Sequence, residues 1–158
     1  MKLLYNIDFE LAVIGYLITM YIFLRILYSG QSEINRRFLR LTFFVLLSDI
    51  MDVVTSVTIS YGGSLPAWFN AVMNTLYFGI VSGMAYYFLD YVAAYTYSGE
   101  ERGALPVIHR YVLFIYYGIL GVNLFQNLLF YFDAQGEYIH GPLYFLVYIV
   151  PSYYILVT

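Results

Sequence analysis

A chain of 158 residues that is 62% hydrophobic and only 11% charged, with mean hydropathy +0.74, is not an ordinary soluble domain. Its composition points to a polytopic membrane protein. The net charge of −3 comes without a basic run or tail, which argues against nucleic acid as a partner. The absence of cysteine excludes disulfides and thiolate metal sites.

The opening MKLLYNIDFE carries Asp8 and Glu10 where a signal peptide would have its apolar centre, so it reads as a short exposed start. The first predicted span is Phe9 to Tyr28, and a polar link, Ser29 to Arg40, follows. Span two, Leu41 to Tyr61, is long enough to cross a bilayer yet places Asp49 and Asp52 beside its midpoint. Two such carboxylates cost about 5–7 kcal/mol on insertion scales, and the twelve Leu, Ile, Val, Phe and Met residues of the segment roughly cancel that. Alone the helix would be marginal. It belongs inside a bundle, with the two acids facing other helices.

Gly62, Gly63, Ser64 and Leu65 predict a tight turn, with Pro66 opening span three. That span runs to about Leu89, its helix continuing past Asp90 toward Tyr97. A charged break, Ser98 to Leu105, leads to span four, about Pro106 to Phe132. The link Asp133 to Gly141 leads to Pro142 and span five, Leu143 to Thr158, which contains Pro151. The expected fold is therefore all-α, a single five-span transmembrane helical bundle. Because span five has no closing basic residue or polar tail, the chain is expected to be a fragment of a longer one.

Of seven Lys and Arg, Arg25, Arg36, Arg37 and Arg40 flank the first link, and Arg102 and Arg110 the third. Only Lys2 dissents. The positive-inside rule then puts links one and three in the cytoplasm, the N-terminus outside and the C-terminus inside.

Counting inward at ~1.5 Å per residue brings Asp52, Asn74, Asn123 and Ser152 to one layer, roughly 12–13 Å from the outer surface. Asn70 and Asn74 share one face of span three, and Asn123 and Asn127 one face of span four. With Asp49, Thr55 and Ser56 they outline an outward-opening polar cavity. Membrane helices also use asparagine as interhelical glue, and that reading stays open for the four amides. For Asp49 and Asp52 the cost of an intramembrane carboxylate favours a ligand-binding role. Among the twenty tyrosines, Tyr77, Tyr86, Tyr116 and Tyr148 fall within spans and are expected to face protein.

Gly79 and Gly83 form a GxxxG that allows close helix approach. His109 and His140 fall near opposite membrane faces, in surface or interfacial positions, and so cannot share a metal. The Asp-x-x-Asp spacing lacks the second acidic motif of metal-dependent lipid transferases. No span contains lysine, and no phosphate loop or Ser-His-Asp arrangement is present, so neither catalytic residues nor a metal or cofactor are assigned.

The strings YNIDFE (Tyr5 to Glu10), FLRLTFFVLLSDIMDVVTS (Phe38 to Ser56) and NTLYF (Asn74 to Phe78) resemble a bacterial family. It is the multi-span N-terminal sensor region of signalling proteins from anaerobic Gram-positive bacteria. There the region precedes a cytoplasmic GGDEF-type diguanylate cyclase domain, and similar seven-span regions precede histidine kinases. The resemblance implies a sensor whose partners are the lipid bilayer and an output domain in the same polypeptide, with a homodimer as one assembly open to it. It carries no binding residues, and the chain itself has no GGDEF motif. The alternative is a small proton-coupled transporter or permease subunit using Asp49 and Asp52, although no internal repeat supports it.

Overall fold

The computed structural model describes residues 7–28, 32–61, 64–96, 107–133 and 135–158. Lys2, the opening 5–6, Gly62, Gly63, the charged break at 98–105 with Arg102, and Pro106 lie outside the described residues. Among the described residues the fold is helical apart from one hairpin: α1 Asp8–Tyr28, α2 Glu33–Ser60, α3 Ala67–Thr96, α4 Val107–Gln126, β1 Phe130–Phe132, β2 Tyr138–His140 and α5 Leu146–Leu156. Among the described residues four helices, α1 to α4, are long and apolar enough to cross a membrane.

Helix α2 begins eight residues before the expected start of span two. Ser32 caps it, with Oγ accepting from the Asn35 amide at 3.1 Å. Arg36, Arg37 and Arg40 therefore lie on the first turns of a helix and not in a link. At 28 and 30 residues, α2 and α3 rise about 42 and 45 Å, well beyond a hydrocarbon core of ~30 Å. Their projecting ends are tied together. Arg37 donates to Asp90 on α3 at 2.7 Å and to Glu33 on its own helix at 2.6 Å.

Helix α3 is the hub, packing against α2, α4, α5 and β1, while α1 lies against α2. The core runs from Ala85, Tyr86 and Leu89 of α3 through Tyr116 and Leu120 of α4 to Val147, Val150 and Tyr154 of α5. Tyr86 meets Tyr154 edge to face at 5.7 Å, and the Tyr154 hydroxyl donates to the His109 carbonyl at 2.8 Å. Tyr86 and Tyr116 face protein as expected. Tyr148 does not: it is 63% exposed. Ser152 is exposed as well, so it does not join the polar layer.

Two further boundaries differ from the sequence reading. Span four was expected to reach Phe132, but α4 stops at Gln126 because Asn127 adopts a left-handed conformation (φ 54°). The chain then turns back as the antiparallel pair β1–β2, with Phe130 opposite His140 and Phe132 opposite Tyr138. Span five was expected from Leu143, but α5 occupies eleven residues, a rise of about 16 Å, roughly half a bilayer core. The strand β1 takes up the last residues expected of span four, β2 falls in the expected link, and a turn over 142–145 occupies the expected start of span five.

Candidate functional site

At the hairpin end of the bundle a cavity of about 560 Å³ opens between α1, α2, α3, the hairpin and α5. Helix α2 supplies Asp52, Thr55, Ser56 and Ile59, a spacing of three and four residues that keeps them on one face. Asn74, Tyr77 and Phe78 do the same on α3, and Glu10 comes from the first turn of α1. Tyr138, His140, Tyr144 and Tyr148 complete the wall from the hairpin, the turn after it and α5.

The hairpin is held in place from below. Asn123 on α4 is 1% exposed; its Oδ1 accepts from the Leu129 amide at 2.6 Å and the Phe130 amide at 3.2 Å. Its Nδ2 donates to the Phe130 carbonyl at 3.1 Å. One side chain thus satisfies three backbone groups of a segment that has left the helix and is buried, with Leu129 and Phe130 at 0% and 1% exposure. The far end of the hairpin is closed by Asp133, whose Oδ1 accepts from the Gln135 and Glu137 amides at 2.9 and 2.8 Å. Gly136 supplies the left-handed residue there, at φ 81°.

On the cavity wall the aromatic groups form one connected set. His140 stacks on Tyr144 with centroids 3.7 Å apart and planes at 9°. Tyr138 meets both rings edge on, and the Tyr144 and Tyr148 hydroxyls are hydrogen-bonded at 3.2 Å. Burial, and then the neighbouring Tyr144 hydroxyl, hold the Tyr138 phenol well above its ordinary range, so it stays a neutral hydroxyl. On the helical side the Tyr77 hydroxyl is directed at the Asp52 carboxylate. The Asn74 Nδ2 donates to the Asn70 carbonyl at 2.9 Å, leaving its Oδ1 for the cavity. Glu10 Oε2 is shielded from solvent without a hydrogen-bond partner.

Of the six predicted site residues, the cavity joins Asp52 and Asn74, together with Thr55 and Ser56. Asp49 lies nearly one turn along α2, off the wall but electrostatically coupled to Asp52 and Glu10. Asn70 is fully buried, with neither its Nδ2 nor its Oδ1 bonded, and it does not reach the cavity. Asn123 serves the hairpin. Asn127 was expected to share a helix face with it but is the exposed left-handed residue beyond the helix end.

Glu10, Tyr77, Tyr138, His140, Tyr144 and Tyr148 were missed. His140 was placed at the membrane surface, whereas the hairpin carries it onto the cavity wall. The Asp-Ala-Gln-Gly turn between two aromatic runs was the available signal. No protein-family profile, curated protein or solved structure matches the chain.

Proposed function

We propose that the chain is a sensory module of a bacterial inner membrane, with its N-terminus outside and its cavity open to the exterior. It couples a bound stimulus to a cytoplasmic output domain of the same polypeptide, a diguanylate cyclase or kinase. The observation that carries this reading is the makeup of the cavity wall, drawn from α1, α2, α3, the hairpin and α5. A ligand there would touch nearly every element at once, and α2 and α3 run from it to the opposite end of the bundle. The confinement of basic residues to links one and three supports the orientation. The resemblance of Tyr5 to Glu10, Phe38 to Ser56 and Asn74 to Phe78 to cyclase-linked sensors supports the output.

The placement of Asp49 and Asp52 three residues apart within a spanning helix favours a second reading, a proton-coupled transporter, because carboxylates inside membrane spans serve as proton relays. One substitution separates the two. In the native gene product, Asp52→Asn is expected to abolish stimulus-dependent second-messenger output while leaving the melting temperature in detergent within a few degrees of the parent. Unchanged output would overturn the sensory reading. Proton-coupled uptake into proteoliposomes that Asp52→Asn removes would establish the transporter instead.

A further inference from the structure

The charge distribution around the cavity is one-sided. Glu10 and Asp52 stand on its wall, Asp49 lies nearly one turn away, and among the described residues no Lys or Arg lines it. All described arginines are at the other end of the bundle: Arg25 in the last turn of α1, Arg36, Arg37 and Arg40 near the start of α2, and Arg110 near the start of α4. The two ion pairs among the described residues both use Arg37 there. Glu10 and Asp52 thus face the cavity without a cation from the described protein, an arrangement that a positively charged ligand would stabilise and an anion would worsen.

The rest of the wall decides which cation. Among the described residues no group of three or more His, Cys, Asp and Glu side chains is close enough to hold a metal ion. A divalent ion would be short of hard oxygen ligands. What the wall offers is aromatic: Tyr77 beside Asp52, and the Tyr138–His140–Tyr144–Tyr148 set opposite. Ring faces attract a cation within ~6 Å of the centroid and tolerate alkyl substituents on it. The cavity volume of about 560 Å³ lies in the range of small-molecule sites.

We infer that the cavity binds a small organic cation, an amine or quaternary ammonium, with Asp52 and Glu10 opposing its charge and the tyrosines enclosing its alkyl groups. This inference rests on the same cavity as the sensory reading and names the class of its ligand. The buried, unpartnered Glu10 Oε2 is the acceptor such a ligand would satisfy.

The test is direct binding to the purified chain in lipid nanodiscs, by calorimetry, with choline, tetraethylammonium and phenethylammonium. The uncharged 3,3-dimethyl-1-butanol serves as the shape-matched counterpart of choline. At least one of the three cations should bind saturably. If choline is among the binders, it should bind at least tenfold more tightly than the alcohol. Asp52→Asn and, independently, Glu10→Gln should each weaken cation binding tenfold or more, in variants whose melting temperatures show them folded. Comparable affinity for choline and the alcohol would overturn the inference. So would cation binding indifferent to both substitutions, or no saturable binding by any of the three cations. Cation binding with unchanged signalling by Asp52→Asn would sink the sensory reading alone. Lost signalling without cation binding would sink this inference alone.

Discussion

Asparagine has two unlike fates in this bundle, and the difference yields a sharp expectation. Asn123 spends its amide on three backbone groups, so truncating it leaves buried N–H and C=O groups bare, at about 1–3 kcal/mol each. Asn123→Ala should lower the detergent melting temperature sharply and detach the hairpin, read as faster amide exchange at Leu129 and Phe130. Asn70 is the reverse case, fully buried with both amide atoms unbonded. Replacing it with the near-isosteric Leu removes an unsatisfied polar group and should hold or raise the melting temperature. A comparable loss from both substitutions would contradict these assignments. Helical spacing had put Asn70, Asn74, Asn123 and Asn127 in matched pairs. Spacing reports which face a residue shares, but not whether the helix lasts long enough to present it. Asn127 fell on the wrong side of that boundary.

Among the elements, helix–helix contact was legible where it depends on small residues. Gly83 was flagged by its spacing from Gly79, and a Cβ there would lie 2.9 Å from both Phe44 Cε1 on α2 and the Tyr117 hydroxyl on α4. The Tyr117 hydroxyl also donates to the Gly79 carbonyl at 3.2 Å, so both glycines seat the same ring. Gly83→Ala should cost about 1–3 kcal/mol through overpacking, and Gly83→Leu more. Gly118→Ala, where a Cβ meets nothing within 4 Å, is the matched control and should be neutral in the same melting experiment. The hairpin was not legible, because β1 is apolar and continues the composition of span four without a polar break. Hydropathy cannot separate a helix from a buried strand that follows it directly. Turn chemistry at Asp133 and Gly136 can.

For the whole molecule, the helical, membrane-crossing character follows from composition, and four of the five expected spans are helices of spanning length. The cavity was half legible. Its acidic side came from the cost of placing Asp52 in an apolar run, while its aromatic side depends on the hairpin, which hydropathy alone does not reveal. Because these 158 residues contain no cysteine, the orientation of the chain can be read cleanly. Gln135→Cys, in the exposed hairpin loop, should react with an impermeant thiol reagent on intact cells, and Ser32→Cys only after permeabilisation. The opposite pattern would turn the cavity to face the cytoplasm and remove the exterior stimulus from the proposal.

The continuity of α2 also has a mechanical side. Between Arg37 and Asp52 it contains neither proline nor glycine, so the cavity and the Arg37–Asp90 ion pair sit on one stiff rod about 22 Å apart. Pivoting such a rod by about 5° at its cavity end would swing Arg37 through roughly 2 Å. That displacement is comparable to the 2.7 Å contact itself, enough to take Arg37 out of hydrogen-bonding range of Asp90. The ion pair is thus placed like a vernier at the end of a lever. An adjustment too small to unpack the aromatic wall would be magnified, at the opposite end of the bundle, into the making or breaking of a single charged contact between α2 and α3.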